Sequence, residues 1–188
     1  MKRVPDPEIR KKQILETAMQ LFYEKGYENT SMEDIARELQ VVKGLCYRYF
    51  DSKQALFKVV IDEYAIECCQ DFLKIIHNPD MTIKERLKTI LMLMLQPKEK
   101  GRYHDFFHKL GNEVIHEQIT VKMCKYMIPH VEEELENLFN EGKLATEYPK
   151  IMAQFLMYGQ IGIWQESEES IEIKVHQFGE IIKALLDG

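Results

Sequence analysis

The sequence of 188 residues is poor in the residues that break helices or cross-link chains. It holds six prolines, nine glycines, one tryptophan and four cysteines. The cysteines stand at positions 46, 68, 69 and 124, two of them adjacent and none in a C-x-x-C pair. This spacing argues against a disulfide framework or a zinc knuckle, and it favours buried thiols in a reducing compartment.

Long apolar segments and catalytic signatures are also missing. No apolar run approaches the roughly 20 residues that span a bilayer. The cations of the N-terminal MKRVPDPEIRKK are not followed by the apolar core of a secretory signal. We therefore expect a cytoplasmic protein with no membrane partner. No Gly-rich phosphate loop, nucleophile elbow or H-E-x-x-H sequence is present, so the sequence predicts neither an enzyme nor a cofactor.

The negative charge is unevenly distributed along the chain. The formal net charge is −6. Residues 1–56 hold ten Lys and Arg against nine Asp and Glu, a net charge of +1, and the remainder carries −7. A nucleic-acid-binding surface in the first part would therefore depend on a local cationic patch rather than on a global field.

Almost the whole sequence has a helical pattern, which predicts an all-α fold of about nine helices. Asp6 before Pro7 is a helix start, and Thr30 with Glu33 or Ser31 with Asp34 would form a capping box. Asp51 or Ser52 would open a long fourth helix, and Thr82 with Glu85 would cap the fifth. Two helices are expected over about 102–141, with Pro129 marking a kink or a fresh start. The last two helices are expected at about 149–166 and 170–186.

Residues 31–50, SMEDIARELQVVKGLCYRYF, have the lengths of two short helices joined by a tight turn. This is the pattern of a helix-turn-helix, whose second helix enters the major groove in DNA-binding proteins. The spacing alone is a weak signal, because two helices and a turn are common.

The longer stretch TSMEDIARELQVVKGLCYRYFDSKQAL resembles the N-terminal signature of the tetracycline-repressor (TetR) family of bacterial transcription regulators. The resemblance covers about residues 10–60, and its most specific part is GLCYRYFDSKQAL. It implies a helix-turn-helix DNA-binding domain at 1–52 and a helical effector-binding and dimerisation domain at 53–188. The implied function is a ligand-responsive repressor that binds a palindromic double-stranded DNA operator as a homodimer. A small apolar or amphipathic effector would release it.

The resemblance also implies which side chains contact DNA. Ser31 or Thr30, Tyr47 and Lys53 would bind backbone phosphates, Lys43 and Gly44 would face base edges, and Arg48 and Tyr49 would lie at the groove wall. Four positions depart from the family pattern. Gln40 replaces the usual turn glycine, and Val42 replaces the Ser or Thr cap of the third helix. Leu45 and Cys46 replace the usual Thr and aliphatic residue, and Leu45 thereby removes a hydroxyl or adds a contact to a thymine methyl.

The last two helices carry the candidate dimer interface. Apolar residues of the final helix recur at alternating spacings of four and three, which is a heptad seam, and the family pairs these two helices with their copies. The candidate residues are Phe155, Gly159, Gly162, Ile171, Val175, Phe178, Ile182 and Leu185. The alternative is that both stripes are buried against their own chain.

The middle of the chain is rich in Met, Cys and aromatic residues, which line adaptable apolar pockets but equally fill helical cores. By resemblance to the family, a subset would face an effector cavity. The candidates are Tyr64, Cys68, Phe72, Met92, Phe106, Phe107, Met123, Tyr126 and Met127.

Two alternatives remain open at the level of sequence. His104 and His108 stand four apart in HDFFH, a spacing that can chelate a metal, but surface or hydrogen-bonded histidines are the simpler interpretation and we assign no metal. The whole chain could also be a helical protein-interaction module or an enzyme in which the helix-turn-helix is incidental.

Overall fold

The computed structural model describes residues 6–96, 113–144, 147–165 and 168–187, and within these ranges every regular element is a helix. The prediction of an all-α chain is confirmed. The eight described helices are α1 (Pro7–Lys25), α2 (Met32–Glu38), α3 (Lys43–Tyr47), α4 (Lys53–Ile76), α5 (Ile83–Leu95), α6 (Glu113–Asn140), α7 (Pro149–Gln165) and α8 (Ile171–Asp187). In the described part of the chain, no helix combines the length and apolar character needed to cross a bilayer.

Helix α1 begins and ends where the sequence predicts. The Asp6 side chain accepts a hydrogen bond from the Glu8 amide, and Pro7 occupies the first turn, where its missing N–H is not needed. Gly26 ends the helix with a φ of 84°, a conformation that glycine adopts without steric cost. The inner face of α1 includes Ile14, Ala18 and Phe22, all fully buried.

Helix α4 begins at a serine cap and ends before a proline. The Ala55 amide donates to the Ser52 hydroxyl at 3.0 Å, so Ser52 rather than Asp51 caps this helix. The helix continues without a break to Ile76. The Asn78–Pro79 pair follows, and helix is disfavoured there because the residue before a proline avoids helical backbone.

The middle of the chain contains the one clear difference from the predicted helices. A single helix, α6, passes through Pro129, so a fresh helix start at this residue is wrong. Pro129 has no N–H to donate to the preceding turn, but the helix continues on both sides of it. The predicted segment from 102 to 112 lies outside the described residues.

The chain forms two compact units. The first comprises the described residues 6–64 and 113–119, and the second comprises the described residues 65–96, 120–144, 147–165 and 168–187. In the first unit, α2 packs against α1 and α3 around Phe22, Ile35 and Leu56. In the second, α8 packs against α5 and α7, and Leu135, Leu138, Leu144 and Ala153 form a buried cluster. The predicted domain boundary at residues 52 and 53 stays a prediction.

Candidate nucleic-acid interface

A capping box fixes the start of α2. The Ser31 hydroxyl accepts from the Asp34 amide at 3.1 Å, and the Asp34 carboxylate accepts from the Ser31 amide at 3.0 Å. Hydrogen bonds from the Ser31 hydroxyl and amide hold the pKa of Asp34 below its usual value. Because that pKa is lowered on folding, the stabilisation is present at neutral pH and is lost as the pH falls through the lowered pKa.

Thr30 stands one residue before this box and has a different role. Its side chain is 1% exposed, and its hydroxyl is within hydrogen-bond distance of the carbonyl oxygens of Gly26, at 2.9 Å, and Leu21, at 3.2 Å. The hydroxyl therefore ties the end of α1 to the start of α2. Ser31 is exposed, so of the two hydroxyls proposed to bind phosphate, Ser31 has the accessible one.

The turn between α2 and α3 is closed by two backbone hydrogen bonds around Gln40. The Val41 amide donates to the Ala36 carbonyl at 2.9 Å, and the Gln40 amide donates to the Arg37 carbonyl at 3.0 Å. This is a Schellman ending, in which the residue after the cap adopts left-handed backbone. Gln40 has a φ of 54°, the only positive φ of a non-glycine residue in the described chain. Glutamine thus occupies a position that favours glycine, as the sequence predicts.

Helix α3 starts without a side-chain cap. Val42 has the extended backbone of a capping residue, with φ −72° and ψ 140°, but no side-chain hydrogen bond to the helix. Its side chain is 77% exposed, so it does not compensate by packing. The predicted absence of a cap at this residue is confirmed.

The two sides of α3 differ sharply in exposure. Cys46 and, just after the helix, Phe50 are buried, and burial raises the pKa of the Cys46 thiol, which keeps it protonated at neutral pH. Lys43, Gly44, Tyr47 and Arg48 are exposed, while Leu45 and Tyr49 are half-buried. A Cβ atom built on Gly44 would meet no atom within 4 Å, so the packing of the chain does not require glycine there.

Lys43 is the cation at the start of this exposed surface. Its ammonium lies 3.7 Å from the Glu33 carboxylate and 5.9 Å from the centre of the Tyr47 ring. Both side chains of the ion pair are more than half exposed. Exposed ion pairs are worth only about 0–1 kcal/mol, so Lys43 can exchange Glu33 for another acceptor at little cost.

Lys53 is held in place by the loop between α1 and α2. Its ammonium donates to the Tyr27 carbonyl at 2.8 Å and lies 4.2 Å from the centre of the Tyr27 ring. The Tyr27 ring in turn contacts Phe22 and Phe57, with ring centres 5.4 Å and 4.5 Å away. An ammonium has three donors, so two remain for a ligand after the bond to Tyr27.

Lys53 also lines an open groove of about 390 Å³ on the first unit. The groove brings together Ser31 at the start of α2, Tyr47 at the end of α3 and Lys53 at the start of α4. The complete lining is Glu28, Asn29, Thr30, Ser31, Met32, Tyr47, Asp51, Ser52 and Lys53. Residues 31, 47 and 53, which the sequence groups only through a family resemblance, are therefore neighbours in space.

The candidate effector residues have mixed positions. In the first unit Tyr64 is buried. In the second, Met127 is buried, Cys68, Phe72, Met123 and Tyr126 are half-buried, and Met92 is half exposed. Phe106 and Phe107, like His104 and His108, lie outside the described residues.

The candidate dimer residues separate into two groups. Phe155 is 67% exposed, Gly159 is exposed, and Ile171 and Leu185 are exposed. Val175 is 2% exposed, and Phe178 and Ile182 are half-buried. The Phe178 ring lies edge-on to Trp164 of α7, with centres 5.7 Å apart, and Lys174 donates to the Trp164 carbonyl at 3.3 Å. These contacts turn part of the heptad seam of α8 toward its own chain.

Other apolar residues of α7 and α8 are exposed as well. Ile151 and Tyr158, which the sequence places with Phe155 on one stripe at spacings of four and three, are both exposed. Sequence reasoning missed Tyr148, just before α7, and Ile173 and Ile181 of α8, which are about half exposed. The exposure of Ile173 and Ile181 has no signal in the sequence, because an apolar residue on an apolar helix gives no indication of which neighbour covers it.

Comparison with known proteins places this geometry in context. The family model described as bacterial regulatory proteins, tetR family, matches residues 14–60. An uncharacterized HTH-type transcriptional regulator of Bacillus subtilis, YuxN, is 28% identical over 181 residues. The match covers 95% of this chain and 62% of that protein. The biofilm operon icaADBC negative transcriptional regulator IcaR of Staphylococcus aureus is 38% identical over 63 residues, covering 34% of this chain and 31% of its own.

Solved structures match over nearly the whole chain. A putative TetR-family transcriptional regulator from Mesorhizobium loti superimposes with a TM-score of 0.61 at 20% identity, covering 97% of this chain and 98% of its own. A TetR-family regulator from Pectobacterium atrosepticum gives 0.60 at 20% identity, with 95% and 93% covered. At this identity the likeness concerns the fold. Residues 14–60 are thus similar to the helix-turn-helix segment of the tetR family of bacterial regulatory proteins, and the chain has the fold of solved tetR-family structures.

Proposed function

We propose that this chain is a transcriptional repressor that binds a palindromic DNA operator as a homodimer and is released by a small apolar or amphipathic effector. The observation that carries DNA binding is the convergence of Ser31, Tyr47 and Lys53 in one groove beside the exposed surface of α3. In helix-turn-helix proteins the second helix lies in the major groove and flanking elements contact the phosphates.

Lys43, Gly44 and Arg48 are the proposed groove-reading residues. All three are exposed, and lysine and arginine donate to the O6 and N7 acceptors of guanine. Gly44 leaves room for a base edge or sugar to approach the backbone, since nothing in the chain occupies that space. Lys43 would exchange its weak contact with Glu33 for a base, so Lys43→Ala should change which sequence is preferred.

Lys53, Tyr47 and Ser31 are the proposed phosphate contacts. Lys53 retains two donors beyond its bond to Tyr27, and the Tyr47 hydroxyl is borne by an exposed, rigid ring. The start of α4 adds the positive end of a 24-residue helix. Glu28 and Asp51 also line the groove. Their negative charges would repel a phosphate, which would therefore bind at the side of the groove where Lys53 lies.

The test is the salt dependence of binding to duplex DNA. Phosphate contacts are independent of sequence, so the experiment does not require the operator. Lys53→Ala should weaken binding to all duplexes and lower the slope of log K against log salt by about 1 for each subunit. Lys58→Ala is the matched control, because Lys58 is exposed on the same helix but does not line the groove.

Lys53 also helps to hold the loop at Tyr27, so the unfolding temperature of each variant should be measured beside its DNA affinity. An unchanged slope in a folded Lys53→Ala variant would reject the phosphate assignment. Equal changes in both lysine variants would show that only general charge matters.

The proposal of a homodimer rests on the exposed apolar surface of α7. Tyr148, Ile151, Phe155 and Tyr158 are exposed, and Gly159 and Gly162 have no atom within 4 Å of a built Cβ. In water such a surface is unfavourable by about 25 cal/mol for each Å² of apolar area. A second copy would cover it, and the glycines would allow the two helices to approach closely.

Control by an effector would act through helix α4. Helix α4 runs unbroken from Lys53 to Ile76, and it carries Tyr64, Cys68 and Phe72 along its length. Linkage requires that an effector which weakens DNA binding is itself bound more weakly, by the same factor, when DNA is present. A screen of apolar and amphipathic compounds for release of DNA tests this, and tight binders that leave DNA affinity unchanged would contradict it.

Repression, rather than activation, is supported by the name of the S. aureus relative, a negative transcriptional regulator, over a third of the chain. The measurement is transcription from promoters near the gene after its deletion. A repressor predicts increased transcript, and a decrease would assign the opposite role.

A further inference from the structure

Three side chains that can ligate metals meet in the second unit, at a place that the proposed function does not use. His77 follows α4, and His130 and Glu133 lie on α6. The His77 Nε2 atom is 2.9 Å from the His130 Nδ1 atom. The ligand atoms of all three residues lie within 4.8 Å of one another. We propose that His77, His130 and Glu133 bind a divalent transition-metal ion of the zinc class.

The backbone places His77 firmly. Its amide donates to the Leu73 carbonyl at 3.0 Å, which continues the α4 hydrogen bonds by one residue. The Asn78 side chain then accepts from the Asp80 amide at 3.0 Å, and Pro79 prevents further helix. His77 is thereby held directly after the C-terminal end of α4, where the helix dipole favours a cation.

His130 and Glu133 are three residues apart on one helix, so they point to the same side of α6. The distance between the two imidazole nitrogens suits a shared ion. Two nitrogens at a Zn–N length of about 2.05 Å and a tetrahedral angle lie about 3.3 Å apart. The rings would therefore separate by only a few tenths of an ångström to admit the ion.

The other nitrogen of His77 lies near a carboxylate. His77 Nδ1 is 3.6 Å from a Glu134 carboxylate oxygen, slightly beyond hydrogen-bond distance, and a small shift of the ring would bring the two into contact. The second oxygen of Glu134 accepts from the Arg86 guanidinium, whose Nε donates to the Met81 carbonyl at 3.1 Å. A carboxylate behind the ring orients the imidazole and strengthens it as a ligand. Since Glu134 is engaged with Arg86, Glu133 is the carboxylate available to the ion.

The donor set determines the class of ion. Two imidazoles and one carboxylate suit zinc, nickel, copper or iron, whereas magnesium and calcium prefer oxygen donors. Three protein ligands leave a position for water or an exogenous group. The residues are exposed or half-buried, so an ion can reach them from solution.

The experiment uses tag-free, full-length protein freed of metal with a chelator and titrated calorimetrically with zinc chloride or magnesium chloride. We expect one zinc ion for each chain, a higher unfolding temperature with zinc, and neither effect with magnesium. His130→Ala should weaken zinc binding about 100-fold or more, and Glu133→Gln about tenfold or more. Glu132→Gln is the matched control, because it makes the same charge change one position along α6.

His77→Gln provides a second ligand variant in case His130→Ala does not fold. A double variant, His104→Ala with His108→Ala, separates this site from the other histidine pair. Absence of zinc binding at micromolar concentrations would overturn the proposal. So would binding that survives His130→Ala and His77→Gln but is lost in the double variant. None of these measurements involves DNA, so they test the metal site separately from the proposed function.

Discussion

The helix-turn-helix and the α7–α8 pair both present side chains to the outside of the chain, but the two surfaces are of opposite kinds. The first exposes Lys43, Tyr47 and Arg48 around a glycine. The second exposes Phe155, Ile173 and other large apolar groups. Water solvates the first surface well, and its cationic groups can bind an anionic ligand. The second is unfavourable in water and favours association with another apolar surface.

The two surfaces also differ in how they are held in place. In the helix-turn-helix, short-range hydrogen bonds fix the start of α2, through the Ser31–Asp34 box, and the turn, through the backbone bonds around Gln40. On α7 and α8, side-chain packing determines which residues are exposed. Phe178 is half-buried because its ring packs against Trp164. A phenylalanine on the α8 seam is therefore part of the fold, while Phe155 of α7 is available to a partner.

The largest expected effect tests that distinction directly. Phe155→Glu should abolish the proposed dimer at micromolar concentration but leave the chain folded, because the phenylalanine is 67% exposed. An interface related by a two-fold axis would receive the charge twice, at about 2 kcal/mol or more each for a central residue. Sedimentation and thermal unfolding measure the two outcomes.

Phe178→Glu is the matched comparison on α8. It would place a charge against Trp164 inside the chain, and we expect the free energy of unfolding to fall by about 3 kcal/mol or more. A stable monomer from Phe178→Glu together with an intact Phe155→Glu dimer would reverse the assignment and restore the heptad seam as the interface.

The same contrast explains what the sequence could predict. Caps, turns and helix ends depend on residues within about five positions, so the roles of Gly26, Gln40 and Val42 could be assigned from sequence. The choice between Ser31 and Thr30 could not, because Thr30 is buried against the end of α1.

Contacts between residues far apart in the chain could not be predicted from a single sequence. The HDFFH spacing directed attention to His104 and His108, whereas the described cluster joins His77 to His130 across 53 residues. The His130-x-x-Glu133 spacing was visible on α6, but nothing in the sequence brought α4 to it. The direction in which α8 faces was hidden for the same reason.

Gly44→Ala should separate stability from DNA binding. Alanine favours helix over glycine by up to about 1 kcal/mol, and the added methyl meets no atom of the chain, so the unfolding temperature should rise. DNA affinity should fall about tenfold, equivalent to about 1.4 kcal/mol, if a base edge or sugar occupies that space. Unchanged affinity in the stabilised variant would remove Gly44 from the interface.

Val42→Thr should stabilise the start of α3. The substitution keeps the shape of the side chain and adds a hydroxyl at a position whose backbone is already that of a cap. We expect the free energy of unfolding to rise by about 1 kcal/mol in denaturant titrations. Val41→Thr is the comparison, since Val41 belongs to the turn and its amide is already bonded to Ala36. Equal gains from both would indicate a general effect of threonine rather than a cap.

Gln40→Gly should give the smallest effect and tests whether local strain in the turn remains. At a φ of 54° a side chain is disfavoured, and glycine relieves that cost, although glycine also loses more chain entropy on folding. The expected balance is a gain of about 0.5 kcal/mol in the free energy of unfolding. Gln40→Ala keeps a Cβ atom and should not show this gain, so the difference between the two variants isolates the backbone. If both variants are equally stable, the left-handed turn is not strained, and Gln40 is tolerated because the two Schellman hydrogen bonds already hold it.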